Sequence, residues 1–229
     1  RSRGITIFSK QATLTWKGTE FTFIDTPGHV DFSAEMERTL SVLDYAVVLI
    51  SGTDGVQPHT ETIWKLLELY HIPAFIFVNK MDISHLTQAQ LEEELCRRLD
   101  EHCVSFMQDG AARDEAAALC DDAALNEYME HGSLGDETLR RLVRERKLFP
   151  CVFGSALKME QVGRLLDVMD QCTEAKTYPE EFGARVYKVS QDEHGSRLTH
   201  LKVTGGTLKV RTKLYQEEKA DQLRRYCGG

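Results

Sequence analysis

The chain has 229 residues, of which 41% are hydrophobic and 28% are charged, and its formal net charge is −8. This composition is ordinary for a globular protein, and the acidic balance argues against nucleic-acid binding over the whole surface. The apolar stretches are too short to span a membrane, no signal peptide is apparent, and the six cysteines lack a Cys-x-x-Cys zinc spacing. We therefore expect a cytoplasmic protein with reduced thiols that binds neither a membrane nor DNA.

The first half of the chain alternates strand and helix patterns. Residues 13–17 and 21–24 alternate in polarity around Gly18-Thr19-Glu20 and predict an antiparallel hairpin. The elements that follow are a helix at 31–43, a strand at 46–50, a helix at 60–70, strands at 74–78 and 149–153, and a helix at 160–172. Continuously apolar strands alternating with helices predict an open parallel α/β sheet, with strands buried on both faces.

An acidic segment interrupts this alternation. Residues 90–130 contain twelve Asp or Glu against three Lys or Arg, and no strand pattern is visible there. Three or four helices fit, for example at 90–102, 122–131 and 137–147. We interpret residues 85–147 as a helical insertion, and its acidity as a solvated face rather than a metal site.

The pattern changes again towards the C-terminus. Residues 173–182 look like a linker, and short strands are predicted at 184–189, 198–203 and 207–210, with turns at 194–195 and 205–206. About three strands are too few for a stable barrel or sandwich, so we expect the region 183–229 to be truncated. The excess of basic residues over 197–225 fits contact with rRNA phosphates or a solvated edge equally well.

Polar residues follow the first predicted strand pair, in the segment Asp25-Thr26-Pro27-Gly28-His29. Ligands of open α/β sheets bind at the carboxyl ends of strands, and Asp25 could there hold Mg²⁺ through water. Gly28 would let a backbone N–H approach a terminal phosphate, and His29 could reach a water molecule attacking that phosphate. Taken alone, the segment could equally be an ordinary turn.

Two further loops follow the other apolar strands. In Asn79-Lys80-Met81-Asp82, the Asp82 carboxylate can accept hydrogen bonds from the ring N–H and exocyclic amine of guanine, whereas adenine offers neither in that arrangement. Asn79 would buttress the loop, and the stem of Lys80 would cover the base. In Gly154-Ser155-Ala156-Leu157, a backbone N–H could donate to the guanine carbonyl oxygen. Three such loops at three strand ends predict a guanine-nucleotide site.

These motifs together resemble those of translational GTPases of the elongation factor G superfamily. Residues 3–7 resemble switch I, residues 25–32 resemble switch II, and Asn79-Lys80-Met81-Asp82 and Ser155-Ala156-Leu157 resemble the two guanine-recognition motifs. The resemblance runs from residue 1 to about residue 210. It implies an incomplete P-loop-GTPase domain over 1–172, a linker over 173–182, and the start of an all-β barrel domain over 183–229.

The resemblance also implies ligands and partners. GTP or GDP and Mg²⁺ would bind, and Thr6 would ligate Mg²⁺ in the GTP state. His29 would position the hydrolytic water when the ribosome, with its rRNA and ribosomal proteins, engages the whole protein.

One family motif, the P-loop Gly-x-x-x-x-Gly-Lys-Ser/Thr, does not occur in the 229 residues. In the family it lies upstream of switch I, and Arg1 already stands in switch I without an initiator Met. We therefore expect a fragment of a longer protein whose P-loop lies upstream. Such a fragment should bind GTP poorly or not at all and be inactive alone, since the P-loop supplies the phosphate cradle and the first Mg²⁺ ligand.

The subtype is a finer question. The spacing between Asn79 and Ser155 leaves room for a shorter helical insertion than that of elongation factor G. Residues 125–134 and 148–155 also look closer to the tetracycline-resistance ribosomal protection proteins, which we take as the predicted subtype. An elongation factor G-like translocation GTPase and a nucleotide-free ribosome-binding module are the alternatives.

Overall fold

A computed structural model describes residues 10–26, 33–192, 194–211, 213–215, 218–219 and 222–224 of the chain. The chain divides into two compact units, Asp44–Glu174 in one and Arg1–Leu43 with Ala175–Gly229 in the other. The unit Asp44–Glu174 ends within the predicted linker 173–182, and the assignment of a GTPase domain over 1–172 and a barrel domain over 183–229 stays a prediction.

Among the described residues, the strands are, in chain order, β1 (Lys10–Trp16), β2 (Thr19–Asp25), β3 (Ala46–Ser51), β4 (Ala74–Asn79), β5 (Cys103–Ser105), β6 (Phe149–Phe153), β7 (Gly183–Gln191), β8 (Arg197–Gly205), β9 (Lys213–Tyr215) and β10 (Glu218–Lys219). The helices are α1 (Ser33–Leu40), α2 (Pro58–Leu69), α3 (Gln88–Arg98), α4 (Ala111–Ala118), α5 (Asp122–His131), α6 (Asp136–Arg144) and α7 (Val162–Cys172).

A four-stranded parallel sheet is the centre of the unit Asp44–Glu174. Its strands lie in the order β3-β4-β6-β5. The inner strands β4 and β6 are buried along almost their whole length, which explains their uninterrupted apolar sequences. The predicted α/β class with a parallel sheet is confirmed.

Two details of the sheet differ from the prediction. β3 was expected to be buried on both faces, but it is an edge strand of this sheet, and Leu49 on it is 66% exposed. The supposedly all-helical insertion contains β5, which pairs with β6 in parallel and extends the sheet by one short strand. The segment 85–147 is therefore partly a strand-helix connection of the sheet itself.

Side chains and glycine fix the ends of the helices in this segment. α3 begins with a capping box, in which the Thr87 side chain accepts from the Gln90 N–H and the Gln90 side chain accepts from the Thr87 N–H. α5 is capped by Asp121 and ends at Gly132, whose φ of 71° suits glycine. The helix predicted at 122–131 is confirmed with those bounds, whereas α3 and α6 end three or four residues before the predicted 102 and 147.

The core between the sheet and its helices is aromatic. Phe75, Phe77 and Phe149 are almost fully buried, and the Trp64 ring meets Phe149 edge-on with 4.7 Å between centroids. Such pairs add to the stabilisation from apolar burial. Trp64, at 5% exposure, is part of this core.

The described strands of the other unit form antiparallel pairs, β1 with β2, β7 with β8, and β9 with β10. The turn between β1 and β2 is Lys17-Gly18, and both residues have positive φ, as the common two-residue hairpin turn requires. The hairpin is confirmed, but Thr19 and Glu20 belong to β2 rather than to the turn. Of the helix predicted at 31–43, α1 covers the central part, and residues 31–32 lie outside the described part of the chain.

Strands predicted at 184–189 and 198–203 lie within β7 and β8, but the strand predicted at 207–210 is wrong. The chain turns instead at Gly205 and Gly206. A Cβ at Gly205 would collide with the Glu181 carbonyl oxygen, and the Gly206 N–H donates to the Pro179 carbonyl at 3.0 Å. The two glycines therefore pack against the end of the predicted linker, and the chain does not continue as a strand.

Candidate nucleotide-binding site

Three loops lie side by side at the carboxyl edge of the parallel sheet. We call them loop A (residues 52–57, after β3), loop B (residues 80–87, after β4) and loop C (residues 154–161, after β6). Backbone hydrogen bonds join loop A to the end of β4, from Gly52 N to the Asn79 carbonyl at 2.7 Å, and loop B to loop C, from Met81 N to the Gly154 carbonyl at 3.0 Å. The structure thus brings together the two predicted guanine-recognition motifs, at the edge where open α/β sheets bind ligands.

The Asn79 side chain fastens loop B to loop C. Its Oδ1 accepts the backbone N–H of Lys80 and the backbone N–H of Ala156, both at 2.8 Å. An amide oxygen can accept two hydrogen bonds, so both contacts form together. Asn79 occupies the buttressing position that the sequence predicts for it.

The hydrogen bond from Ala156 to Asn79 also limits which backbone N–H groups of loop C can donate to a base carbonyl. The Ser155 N–H donates to the Glu160 carbonyl at 3.1 Å, and the Ala156 N–H is engaged by Asn79. In the described part of the loop, the first backbone amide without such an acceptor is that of Leu157. Leu157 is also 93% exposed, so its side chain covers nothing in this structure.

Lys80 starts loop B in a left-handed conformation, with φ 65° and ψ 31°. A non-glycine residue rarely adopts this conformation, and here it turns the chain so that Met81 reaches loop C. Lys80 is exposed, and its charge contributes to the lowered pKa of the Asp54 carboxyl in loop A. The predicted role of its stem, to cover a base, stays a prediction.

Asp82 faces loop C. The Lys158 Nζ lies 3.3 Å from its Oδ2, and the Ser155 side chain, which is 1% exposed, lies beside it. The Ser155 hydroxyl and the Lys158 ammonium hold the pKa of the Asp82 carboxyl below its usual value. Ser155 Oγ nevertheless has no well-formed hydrogen bond to any described residue. A carboxylate that stays ionised is what the recognition of two N–H donors requires.

Gly154 allows the start of loop C to lie close to its end. A Cβ at this position would collide with the Glu160 carbonyl oxygen and lie 2.8 Å from the Gln161 Cβ. Only glycine allows the tight return that pairs Ser155 with Glu160.

Loop A is the part of this edge that sequence reasoning missed. The Ser51 and Thr53 hydroxyls hydrogen-bond each other at 2.8 Å, and Thr53 donates to the Asp54 carboxylate at 3.0 Å. Both hydroxyls hold the pKa of that carboxyl below its usual value. The missed signal was the polar, glycine-rich run Ser51-Gly52-Thr53-Asp54-Gly55, which follows an apolar strand as the other two loops do.

Helix α3 holds loop A in place. Glu94 accepts the Val56 N–H at 3.1 Å, and a Cβ at Gly55 would collide with the Glu94 carboxylate. Arg98 pairs with Glu94 and with Glu61 of α2, and also donates to the Val56 carbonyl. The first helix of the insertion therefore supports the candidate site from behind.

The residues predicted to act on phosphate belong to the other unit or lie outside the described part. Asp25 is the exposed last residue of β2, paired across the hairpin with Lys10, so it belongs to the strand rather than following it. Thr6, Gly28 and His29 lie outside the described residues. Their predicted roles stay predictions.

A cleft of about 620 Å³ lies beside the amino end of β6, lined by Trp64, Lys65, Arg97, Arg146 and Phe149 among others. None of the predicted site residues lines it, and we do not assign it to the nucleotide. Within the described part of the chain, no group of three or more His, Cys, Asp or Glu side chains is arranged to hold a metal ion. Nor is any described helix both long and apolar enough to cross a membrane.

Comparison with known proteins identifies the family of this chain. The model of the elongation factor Tu GTP binding domain matches residues 1–175. Elongation factor G of Ureaplasma parvum serovar 3 is 29% identical over 288 residues, which cover 96% of this chain and 42% of that protein. Elongation factor G of Ureaplasma urealyticum serovar 10 gives the same values. The chain thus spans less than half the length of these relatives.

A crystal structure of a protein from Thermus thermophilus superimposes with a TM-score of 0.75 at 22% identity, over 90% of this chain and 38% of the other, and shows a shared fold. The predicted enzyme class, a GTP hydrolase, is that of the matched family. Since the family model matches well over half of the residues, the chain belongs to the elongation factor Tu GTP binding domain family, within the translational GTPases.

Proposed function

We propose that this chain is part of a ribosome-dependent GTPase of translation, and that loops B and C bind the guanine base of GTP and GDP. The observation that carries the proposal is the bond from Ala156 to Asn79, which joins the two predicted recognition motifs at the carboxyl edge of the sheet. The match of residues 1–175 to a family of GTP binding domains supports the same conclusion independently.

Each residue of the edge has a separate task in this proposal. Asp82 accepts the ring N–H and the exocyclic amine of guanine, and Lys80 covers one face of the base. Ser155 lies beside the Asp82 carboxylate, and the backbone of Leu157, next to Ala156, presents its N–H to the base carbonyl. Adenine would cover the Asp82 carboxylate without supplying both N–H donors, which is costly, so these contacts select guanine over adenine.

The other predicted residues would act on the phosphates of the nucleotide. Mg²⁺ keeps several waters and takes few carboxylates, so Asp25 with Thr6 and the nucleotide phosphates fits its preference for oxygen ligands. Gly28 lets the backbone approach the γ-phosphate. His29 orients a water molecule whose oxygen attacks the γ-phosphorus, and the bond to the bridging oxygen breaks to leave GDP and inorganic phosphate.

For the subtype, we propose a tetracycline-resistance ribosomal protection protein. The alignment with elongation factor G is 288 residues long, more than the 229 residues of this chain, so the relative has segments within the matched region that this chain lacks. A shorter insertion between Asn79 and Ser155 fits that difference. Translocation is the second candidate, and the similarity to two elongation factor G proteins favours it.

The proposed partner is the ribosome, in the cytoplasm, and the basic stretch 197–225 would contact rRNA phosphates. The test uses the whole protein with ribosomes. Ribosome-stimulated GTP hydrolysis is the expected result, and release of ribosome-bound tetracycline separates ribosomal protection from tRNA translocation. Hydrolysis of ATP at the same rate as GTP would contradict the role given to loops B and C.

A further inference from the structure

We propose that Lys158 is a specificity-determining residue of the base site, because it occupies one oxygen of the Asp82 carboxylate and makes guanine compete for that oxygen. This inference rests on the proposed binding of guanine nucleotides by loops B and C. It assigns a task to a loop C residue that lies just beyond the predicted recognition motif.

The ammonium group of Lys158 lies next to the carboxylate that we propose binds the base. Lys158 Nζ lies 3.3 Å from Asp82 Oδ2, and the loops that carry the two residues are joined by the bond from Met81 to Gly154. The Lys158 side chain is 54% exposed, so it is free to swing into solvent when another donor arrives.

Lys158 is the ion-pair partner that the structure gives to Asp82. The other lysine at this edge, Lys80, contributes instead to the field around Asp54. The lowered pKa of the Asp82 carboxyl agrees with this arrangement, since both the Ser155 hydroxyl and the Lys158 ammonium favour its ionised form.

The hydrogen-bond donors of the base decide how strongly it competes with Lys158 for the oxygens of Asp82. Guanine offers a ring N–H and an exocyclic amine, which together need both oxygens of Asp82. Hypoxanthine lacks the amine and needs only one oxygen, so it can use Oδ1 while Lys158 keeps Oδ2. An oxygen that already accepts from an ammonium is a weaker acceptor for a neutral donor, so Lys158 disfavours guanine more than hypoxanthine.

The size of the effect follows from the exposure of the pair. Ion pairs with a solvent-exposed partner contribute little, because water screens them and the long side chain loses freedom. Removal of Lys158 should therefore raise guanine affinity by about two- to five-fold. Affinity for the hypoxanthine nucleotide should change much less.

The experiment compares GDP with inosine 5′-diphosphate, each titrated to millimolar concentration into the whole protein that contains this chain and followed by calorimetry. The two nucleotides carry the same diphosphate, so the ratio of their affinities cancels any effect of lysine on the phosphates. The variants are Lys158→Met, Lys158→Arg, which keeps the cation, and Lys65→Met, which removes the same charge from the cleft beside β6. The Asp82 carboxyl pKa is measured in each without nucleotide.

In Lys158→Met we expect the preference for GDP over the inosine nucleotide to rise about two- to five-fold, and the Asp82 pKa to rise. Lys158→Arg and Lys65→Met should keep the wild-type preference. An equal change for both nucleotides, or no change while GDP still binds, overturns the role of Lys158 but leaves the proposed function standing. No binding of GDP by any variant at millimolar concentration overturns both.

Discussion

The side-chain oxygen of Asn79 accepts the backbone N–H of Ala156, 77 positions later in the chain, at 2.8 Å. The same oxygen accepts the N–H of Lys80 at 2.8 Å. One amide side chain at the end of β4 therefore fixes both the start of loop B and the middle of loop C. The order of the base site depends on this single acceptor.

Replacement of Asn79 by Ala should separate loops B and C. Two backbone N–H groups lose their acceptor, and we expect a loss of about 1–3 kcal/mol in the free energy of unfolding. Hydrogen exchange of the Ala156 amide should accelerate, as measured by NMR. Asn79→Asp keeps an acceptor oxygen and should preserve the protection, while Asn126→Ala, on the exposed surface of α5, is the control for the loss of an amide. Unchanged protection in Asn79→Ala would contradict the role of this bond.

Replacement of Asp82 by Asn should change which base the whole protein prefers. The amide offers a donor to the extra carbonyl of xanthine and opposes the exocyclic amine of guanine, so GTP should bind more weakly and xanthosine triphosphate more tightly. The loss of a hydrogen bond to a charged group corresponds to about 10- to 100-fold in affinity. Calorimetric titration with both nucleotides measures the change. Asp54→Asn removes the same charge from loop A and should keep the preference for GTP; unaltered GTP affinity in Asp82→Asn would refute the assignment.

A side chain at position 154 should disrupt loop C. In Gly154→Ala the new methyl group meets the Glu160 carbonyl oxygen, a backbone atom that cannot move without breaking the pairing of Ser155 with Glu160. We expect a loss of about 1–3 kcal/mol in the free energy of unfolding, measured in urea. Gly135→Ala is the matched control, since its methyl group would meet only the Glu127 carboxylate at an ordinary 3.5 Å. Equal stability of the two variants would show that loop C can relax.

Asp121 should stabilise the unit Asp44–Glu174 at neutral pH, and the unit should lose this contribution in acid. Its carboxylate caps α5 and pairs with Lys147 at 2.6 Å and Arg141 at 3.0 Å, and these contacts lower its pKa well below the usual value. A lowered pKa in the folded state stabilises the fold above the unfolded-state pKa of about 4, and this contribution is lost as the pH falls below it. Asp121→Asn keeps the cap but removes the charge, and should cost about 1 kcal/mol at pH 7 after solvent screening.

Urea unfolding at several pH values tests this. The difference in stability between wild type and Asp121→Asn should shrink progressively below about pH 4, where the carboxylate becomes protonated in the unfolded state, and should disappear only as the pH falls through the lower folded-state pKa. Asp122→Asn, one residue further along and without these ion pairs, should show a smaller difference at pH 7. A difference that is constant with pH would show that the ion pairs contribute nothing.

The parallel sheet and its site edge were predictable because the relevant signals are local. The apolar runs of β4 and β6 identify buried strands, and the polar loops after them identify the binding edge. The exposure of Leu49 was not predictable, since it depends on which strand lies at the edge of the sheet. β5 has only three residues, Cys103-Val104-Ser105, and such a short strand gives no period of its own.

The parts of the site that were missed depend on contacts between distant residues. Asp54 lies in a polar, glycine-rich run, but its place is set by Glu94 and Arg98 of α3, which hold loop A against the sheet edge. The ion pair of Lys158 with Asp82 likewise depends on the tight return of loop C. Gly154 permits this return, but a single glycine in the sequence does not predict it. Tertiary packing, rather than local sequence, decides both.

His29, which lies outside the described residues, should contribute to GTP hydrolysis but not to nucleotide affinity. The resemblance to switch II implies that His29, next to Gly28, acts at the terminal phosphate rather than at the base or the α- and β-phosphates. Its expected task is to orient the attacking water once the ribosome fixes its position. In the whole protein, His29→Ala should leave GTP and GDP affinities within a factor of a few, because no ground-state contact is removed.

Ribosome-stimulated hydrolysis by the His29→Ala protein should fall by roughly 10²-fold or more, the usual scale for the loss of a positioned catalytic group. Single-turnover hydrolysis with saturating ribosomes, measured beside nucleotide affinity, tests both expectations. His59→Ala, a change of the same residue type on α2, should leave hydrolysis near normal and controls for general effects of losing a histidine. If His29 only packs beneath the switch, hydrolysis and binding decline together or neither changes, and near-normal stimulated turnover in His29→Ala rules out the catalytic role.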